Sequence, residues 1–414
     1  MQSIPLNGNA QALAMPENMR IAKMISIHRK KCEEMGCDFD YAAFAFGQSP
    51  FPPPAPLVKA LKASAHEAHY LPAEGLEDLR KMVCSFNRRH FGTHVTPERV
   101  IVGPGTKSLI YLVFSLIDAD VLIPSPSWIG YFPQAKLLGK NVHVLHLGRE
   151  DHYKLTPEKL ERFLHTHPAR RKLLVLNNPH NPTGNVYSRR ELEELVRICR
   201  KYGLLVLSDE IYALTARNPS AFCSLAELYP EGAFITNGLS KDRSAGGYRL
   251  GTLILPDGAE KELTELFWKV SATLFTSTAA PIQHAAMVAY DDNEEINRYI
   301  ALTRTIHSLM GRYLSEMVSE IPGLYVTKPE GGFYFYVDFN DMREELVLSG
   351  IYDSNALGKA LLSHPYHVAT VTGDACLLEP ENFGARFAFV DYDGEKSLSD
   401  FQLFPPQTEE EERR

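Results

Sequence analysis

The chain has 414 residues, 44% of them hydrophobic and 23% charged, which is typical of a soluble globular protein with two structural units. Its formal net charge of −8 argues against non-specific binding to nucleic acid, and it contains no run of about 18 apolar residues, so we expect no membrane span. The beginning of the chain has no apolar signal stretch, and the cysteine spacings fit no zinc site. We therefore expect a cytoplasmic protein with six reduced cysteines and no metal.

Short apolar runs alternate with helical patterns up to residue 290. Strands are predicted at 100–102, 121–123, 142–144, 173–176, 204–207 and 233–235. Continuous apolar runs of this length indicate a sheet whose two faces are both covered by helices. One helix is predicted to begin after Ser188, which forms a capping box with Glu191, and to end at Gly203. The alternation predicts an α/β fold with a mostly parallel, doubly wound sheet.

The pattern changes after residue 290, where we expect one long helix over 291–317. Strand-rich sequence at 332–337 and 386–390 then predicts a second, smaller α+β domain. The first 20 residues are expected to be a loosely held arm, and residues 407–414 a solvated acidic tail. The predicted division is an N-terminal arm with part of the small domain (1–55), a large domain (56–290) and a small C-terminal domain with the tail (291–414).

Lys241 and Asp209 each follow a predicted strand and are candidate catalytic residues. A lysine in a loop after a buried strand can lose solvent and act as an amine nucleophile. Asp209 lies at the carboxyl end of its strand, where ligands bind in open α/β sheets, and a carboxylate there can hold a pyridine nitrogen in its protonated form. The alternatives are a solvated surface lysine and an aspartate that only caps the next segment.

Two further loops carry groups that suit a ligand. Asn181 lies between two X-Pro units, whose extended geometry can direct its amide into a cleft. Gly105, Thr106 and Lys107 connect a strand to an apolar helix, and the free N–H groups at a helix N-terminus suit a phosphate. The alternatives are a turn cluster without a ligand and an ordinary glycine-rich turn.

Trp128 and Arg386 complete the candidates that stand out from the sequence. Trp128 follows a strand and can stack on a planar ring, although packing in the core is the alternative. Arg386 begins an apolar strand in the second domain, where its guanidinium can bind an α-carboxylate through two parallel hydrogen bonds. The alternative for Arg386 is a structural salt bridge.

These motifs occur in a particular order: GPGTK, PSPSW, NPHNPTG, SDEIY, NGLSK, GGYRLG and ARFAF. In that order the chain resembles the class I/II aminotransferases of pyridoxal-phosphate fold type I, from about residue 40 to 395. The resemblance implies a large domain with a mostly parallel seven-stranded sheet, a smaller α+β domain, and pyridoxal 5'-phosphate as the cofactor. It also implies a homodimer with shared active sites that moves an amino group between an L-amino acid and a 2-oxo acid.

The resemblance assigns the cofactor ring to a set of motif residues. Lys241 would hold the cofactor as a Schiff base and then carry the proton between the substrate Cα and the cofactor. Asp209 would pair with the pyridine nitrogen. Asn181 and Tyr212 would hydrogen-bond the phenolic oxygen, and Trp128 would stack on the ring.

The phosphate and the substrate are assigned to other motif residues. The phosphate would be bound by Gly105, Thr106 and Lys107, mostly through backbone N–H groups, with Arg249 as the cation, and Ser240 would be a further cofactor-binding residue. Arg386, helped by the backbone near Gly47 and by Asn181, would bind the substrate α-carboxylate. Tyr70 matches the tyrosine that reaches the phosphate of the neighbouring subunit.

Three positions depart from the family pattern. Gly238 stands where a serine is common, Thr106 where a small residue is common, and the sequence Gln-Ser-Pro at 48–50 replaces the usual substrate loop. These departures leave substrate and reaction outcome open. A lyase or another non-transaminase activity of the same cofactor is one alternative. The other is a non-enzymatic regulator, which usually carries an added DNA-binding domain for which the first 40 residues leave no room.

Overall fold

The computed structural model describes residues 4–36, 40–168, 170–259 and 261–403. The helices in these ranges are α1 (Gly8–Gln11), α2 (Glu17–Met35), α3 (Ala55–Ala63), α4 (Glu77–Phe91), α5 (Thr106–Leu116), α6 (Tyr131–Leu137), α7 (Pro157–Thr166), α8 (Arg189–Tyr202), α9 (Leu225–Leu228), α10 (Lys261–Phe275), α11 (Ala280–Tyr290), α12 (Glu294–Ser319), α13 (Arg343–Leu348), α14 (Ser354–Leu362) and α15 (Gly394–Leu403). The strands are β1 (Ala42–Ala43), β2 (Val100–Gly103), β3 (Asp120–Ser125), β4 (Val142–His146), β5 (Lys172–Asn177), β6 (Leu205–Asp209), β7 (Ala233–Gly238), β8 (Gly251–Ile254), β9 (Tyr325–Val326), β10 (Tyr334–Asp338), β11 (Val368–Ala369), β12 (Val371–Thr372) and β13 (Gly384–Ala388).

The large sheet has seven strands in the order β2-β8-β7-β6-β5-β3-β4. All neighbouring pairs are parallel except the two that involve β8, which runs antiparallel to β2 and β7. The six predicted strands are therefore confirmed, as is the mostly parallel α/β fold. The seventh strand, β8, was not among the runs identified from the sequence.

Successive residues of the large sheet pack on opposite faces, as the pleat of a strand requires. Val206 faces a core formed with helices α3, α4, α7, α8 and α11, while Leu207 faces a second core formed with α5, α6 and α10. Helix α8 begins with the predicted capping box, in which Ser188 and Glu191 each bond the backbone N–H of the other residue. It ends at Gly203, which is left-handed at φ 60°. Two apolar layers thus fix the sheet whose carboxyl edge carries the site.

The second part of the molecule is built on an antiparallel sheet in the order β12-β13-β10-β9. Helix α12 is the long helix predicted after residue 290, and Asn293 caps it by accepting from the N–H of Ile296. Near the N-terminus, β1 pairs with β11, so the segment around residue 42 lies beside the C-terminal part. The exact domain boundaries remain a prediction.

The N-terminal arm and the cysteines differ in part from what the sequence predicts. Helix α2 begins at Glu17, so the arm is not loosely held over all of its first 20 residues; Ile21 and Ile25, one helical turn apart, bury one face of it. Cys32 is disulfide-bonded, which corrects the expectation of six reduced thiols, and its partner lies outside the described residues. The predicted tail 407–414 also lies outside them. Among the described helices, none is long and apolar enough to cross a bilayer.

Candidate active site

A cavity of about 590 Å³ lies at the carboxyl edge of the large sheet, where β5, β6 and β7 end. Ligands bind at this edge in open α/β sheets because the loops that follow parallel strands converge there. The cavity is lined by Asn18, Phe46, Gly47, Gln48, Ser49, Thr106, Lys107, Trp128, Tyr131, Asn177, Asn181, Asp209, Ile211, Tyr212, Ser240, Lys241, Ser244, Gly246, Gly247, Arg249 and Tyr334. Ten of the thirteen candidate residues from the sequence are among them.

Lys241 projects into this cavity from the loop that follows β7. Its Nζ donates a hydrogen bond to the carbonyl oxygen of Gly47 at 2.6 Å. The same Nζ lies 5.3 Å from the centre of the Tyr212 ring and 5.7 Å from that of Phe333. The amine therefore touches the N-terminal segment that passes over the cavity, and no carboxylate of the described residues forms an ion pair with it.

Asp209 is the last residue of β6, and its side chain is buried at the floor of the cavity. One carboxylate oxygen accepts a hydrogen bond from the Tyr131 hydroxyl at 2.7 Å and the other accepts from the Thr236 hydroxyl at 3.0 Å. Burial raises the pKa of Asp209, whereas these two donors and the charge of Lys241 act to lower it. Both donors stabilise the carboxylate form and hold it in one orientation.

Asn177 is a site residue that the sequence analysis missed. It ends β5, and its side-chain oxygen accepts from the N–H of Asn181 at 2.7 Å. Its side-chain nitrogen donates to the carbonyl of Asp209 at 2.8 Å. Asn177 thus ties the loop of Asn181 to the end of β6. The sequence feature that could have identified Asn177 is a single amide residue at the end of an apolar strand.

One end of the cavity is built for an anion. Gly105 has φ +86°, and a Cβ on it would lie 2.3 Å from Nη2 of Arg249, so only glycine permits this approach. Arg249 itself is left-handed at φ 54° and donates from Nη1 to the carbonyl of Gly246 at 2.8 Å. Burial, and then the charges of Arg249 and Lys241, lower the pKa of Lys107. The free N–H groups that begin α5 face the same end.

Trp128 forms one wall of the cavity. Its ring makes an edge-to-face contact with Tyr131, with centroids 4.9 Å apart, and the Lys107 ammonium lies 5.4 Å from its centre. A Cβ on Gly130 would lie 2.3 Å from the Trp128 ring, so the glycine leaves space for the indole. Trp128 is thus partly buried, lining the cavity on one side and packing on the other against the core that α5, α6 and α10 form with the sheet.

Arg386 lies behind Asn181 and is only 3% exposed. Its guanidinium donates to the Asn181 side-chain oxygen at 3.3 Å and to the Ala45 carbonyl at 2.6 Å, and it lies 4.6 Å from the Tyr334 ring centre. Its Nε has no hydrogen-bond acceptor, and no carboxylate of the described residues pairs with it. A buried cation without an anion is costly, and a bound carboxylate would compensate that cost.

The remaining candidates fall in different places. Tyr212, beside Arg386, shares a hydrogen bond of 2.9 Å with the Tyr334 hydroxyl, and burial raises the pKa of Tyr212. Ser240 lines the cavity. Tyr70 does not line it and is 88% exposed. At Gly238, a Cβ would lie 2.7 Å from the carbonyl oxygen of Leu250, which explains why a serine is not found there.

Comparisons with known proteins show which family the chain resembles over most of its length. The family model described as aminotransferase class I and II matches residues 38–389. An aspartate aminotransferase of Bacillus subtilis is 31% identical over 391 residues, which cover 89% of this chain and 95% of that protein. An asparagine–oxo-acid transaminase of Streptococcus mutans is 28% identical over 387 residues, covering 91% and 94%. The solved structure of the Thermus thermophilus aspartate aminotransferase with maleate superposes with a TM-score of 0.83 at 24% identity, covering 97% of this chain and 100% of that one.

Proposed function

The chain belongs to the class I and II aminotransferases and is a transaminase, and we propose that it uses pyridoxal 5'-phosphate held on Lys241 to move an amino group between an L-amino acid and a 2-oxo acid. The observation that carries the proposal is that Lys241 and Asp209 line one cavity together with Arg249 and Asn181. Asn181 in turn contacts the buried Arg386, which does not itself line the cavity. In a ping-pong sequence, the first substrate would leave its amino group on the enzyme and depart as a 2-oxo acid before a second 2-oxo acid binds and takes the group.

The residues of the cavity fit this cofactor. Gly105 has no Cβ and so lets the Arg249 guanidinium approach its backbone, and the start of α5 and Lys107 add donors and charge at the same end, as a phosphate requires. Asp209 has two hydroxyl donors that hold its carboxylate ready for a protonated ring nitrogen. When bound, the cofactor would supply an electron-accepting ring for the bond broken at the substrate Cα.

The ring would lie between Trp128 and the loops after β5 and β6. Trp128 offers an aromatic face, and Asn181 and Tyr212, which line the same cavity, offer hydrogen-bond donors. Ser240 adds a hydroxyl near the phosphate end. Lys241 Nζ would attach the cofactor and, as a free amine, would carry the proton between the substrate Cα and the cofactor.

Arg386 would bind the substrate α-carboxylate, together with the Gly47 backbone and the Asn181 amide. Its guanidinium already bonds Asn181 and the Ala45 carbonyl, so one binding event would order the two loops that carry these residues. Holding the carboxylate there orients the amino acid so that its Cα proton faces Lys241. The chain would thus contribute binding, orientation and proton transfer.

We further propose a homodimer in which Tyr70 completes the neighbouring subunit's phosphate site. The support is that Tyr70 is 88% exposed and does not line the cavity of its own chain. Large exposed aromatic side chains are enriched where subunits meet. A cytoplasmic location stays a prediction from the sequence.

Half-reactions with a panel of amino acids test the function. Aspartate and asparagine come first, because the relatives are named for them. We expect a change in the visible absorbance of the holoenzyme with at least one amino acid, reversed by a 2-oxo acid, without release of ammonia. Lys241→Ala should abolish both the chromophore and the change. Release of free ammonia in proportion to the substrate consumed would instead show elimination, and an unchanged spectrum with every amino acid would refute the proposal.

A further inference from the structure

Three hydroxyl groups form a continuous hydrogen-bonded chain at the edge of the cavity. The hydroxyls of Ser49 and Ser244 lie 2.6 Å apart. The Tyr299 hydroxyl lies 2.6 Å from Ser244 Oγ, and it donates a hydrogen bond to the carbonyl of Pro52 at 2.8 Å. We call these three residues, Ser49, Ser244 and Tyr299, the hydroxyl relay.

The relay joins three separate parts of the chain. Ser49 lies in the segment 47–50 that passes over the cavity, Ser244 lies in the loop that carries Lys241, and Tyr299 lies on α12. Ser49 and Tyr299 are buried, at 7% and 6% exposure. Ser244 is held in the left-handed region at φ 50°, a conformation that serine adopts only when its surroundings compensate. The hydroxyls are thus fixed by one another at a cavity wall.

The relay runs beside the contact between Lys241 and Gly47. Gly47 is two residues before Ser49, and Lys241 is three residues before Ser244, so the same two segments are joined twice. Lys241 Nζ is the reacting amine of the proposed function, so its bond to the Gly47 carbonyl can be lost when that amine moves to attach the cofactor. The Ser49–Ser244 bond involves no reacting group and can persist through that step.

We propose that Ser49, Ser244 and Tyr299 are positioning residues that hold segment 47–50 in place for the substrate α-carboxylate when Lys241 has left Gly47. The inference rests on the proposed function, because it concerns binding of the amino acid at that site. A preformed segment lowers the ordering cost of substrate binding. Losing the relay should therefore raise KM and leave the proton transfer at Lys241, and with it kcat, largely unchanged.

A double-mutant cycle on the holoenzyme tests the coupling. A neutral hydrogen bond contributes about 1 kcal/mol, so Ser49→Ala and Ser244→Ala should each raise KM about 5-fold, with kcat within about 2-fold of wild type. The double variant should be no worse than the worse single variant. Tyr299→Phe should act in the same direction and serves if either serine variant fails to fold. Tyr229→Phe is the matched control, since its buried hydroxyl bonds the Leu204 carbonyl away from the cavity.

Chemical labelling of Lys241 in the cofactor-free protein gives a readout that does not depend on turnover. With segment 47–50 released, the amine is less shielded by Gly47, so a small acylating reagent should label Lys241 about 5-fold faster in Ser49→Ala than in wild type or Tyr229→Phe. Unchanged KM and labelling, additive effects in the double variant, or a fall in kcat at constant KM would each overturn the relay. If wild type itself converts no amino acid, the proposed function fails, and the labelling result then decides the relay separately.

Discussion

Replacing Glu210 by glutamine should make the protein more stable at pH 8 but hardly change its stability at pH 4.5. Glu210 is fully buried next to Asp209, and its Oε1 accepts hydrogen bonds from the Ser208 hydroxyl at 2.9 Å and the Leu225 N–H at 3.0 Å. Burial raises the pKa of Glu210 to about 7 from its ordinary 4.5, and the two donors offset only part of that rise. Glutamine keeps an oxygen for both donors and removes the charge.

The magnitude follows from that pKa. A rise of about 2.5 pH units corresponds to about 3 kcal/mol at 1.36 kcal/mol per unit. Because the pKa is raised in the folded state, the folded protein binds the proton more tightly than the unfolded chain does. The stabilising effect of protonation is complete below pH 4.5, falls as the pH rises, and is lost above pH 7.

Urea unfolding at pH 4.5, 6 and 8 measures this difference. Relative to wild type, Glu210→Gln should gain about 3 kcal/mol at pH 8, an intermediate amount at pH 6, and little at pH 4.5. Glu193→Gln, on the exposed face of α8, is the control and should show no such trend. His90, whose pKa burial lowers to about 4, changes stability with pH in the opposite sense, but it is common to both proteins and cancels. A constant difference across the three pH values would refute the reasoning.

Three other variants test the site. Arg386→Ala should raise KM for amino acids by about 10- to 100-fold because a charge-assisted carboxylate contact is lost; an unchanged KM in steady-state assays would remove Arg386 from the site. Gly238→Ser should destabilise the protein by about 1–3 kcal/mol in urea unfolding, since its Cβ would lie 2.7 Å from the Leu250 carbonyl oxygen, and equal stability would contradict that close contact. Mixing inactive Tyr70→Ala and Lys241→Ala subunits should restore about one quarter of wild-type activity by forming hybrid dimers, whereas no recovery would argue against a shared site.

The strands and the order of motifs were predictable because local sequence determines both. Apolar runs marked the six strands, and five of the motifs stand at the ends of five of these strands: GPGTK, PSPSW, NPHNPTG, SDEIY and NGLSK. The strand β8 escaped because Gly251 and Thr252 make up half of it, which leaves no continuous apolar run, and because it directly follows the loop of Arg249. Helix α2 could have been predicted, because Ile21 and Ile25 lie one helical turn apart on the same face.

The missed site residues are those defined by contacts distant in sequence. Tyr131 meets Asp209 across 78 residues, and Ser49 meets Ser244 across 195. Neither serine stands in a motif that specifies a partner, so only the folded chain reveals their pairing. The disulfide of Cys32 was not predicted, because the cysteine spacing was used only to exclude a zinc site and to infer a reducing compartment.

The most direct test of the whole account locates the covalent attachment of the cofactor. The holoenzyme would be reduced with sodium borohydride, digested, and its peptides identified by mass spectrometry. The account predicts a single cofactor adduct, on Lys241 in the peptide that contains Ser240. An adduct on another lysine, such as Lys107 across the cavity, or no adduct at all would contradict it.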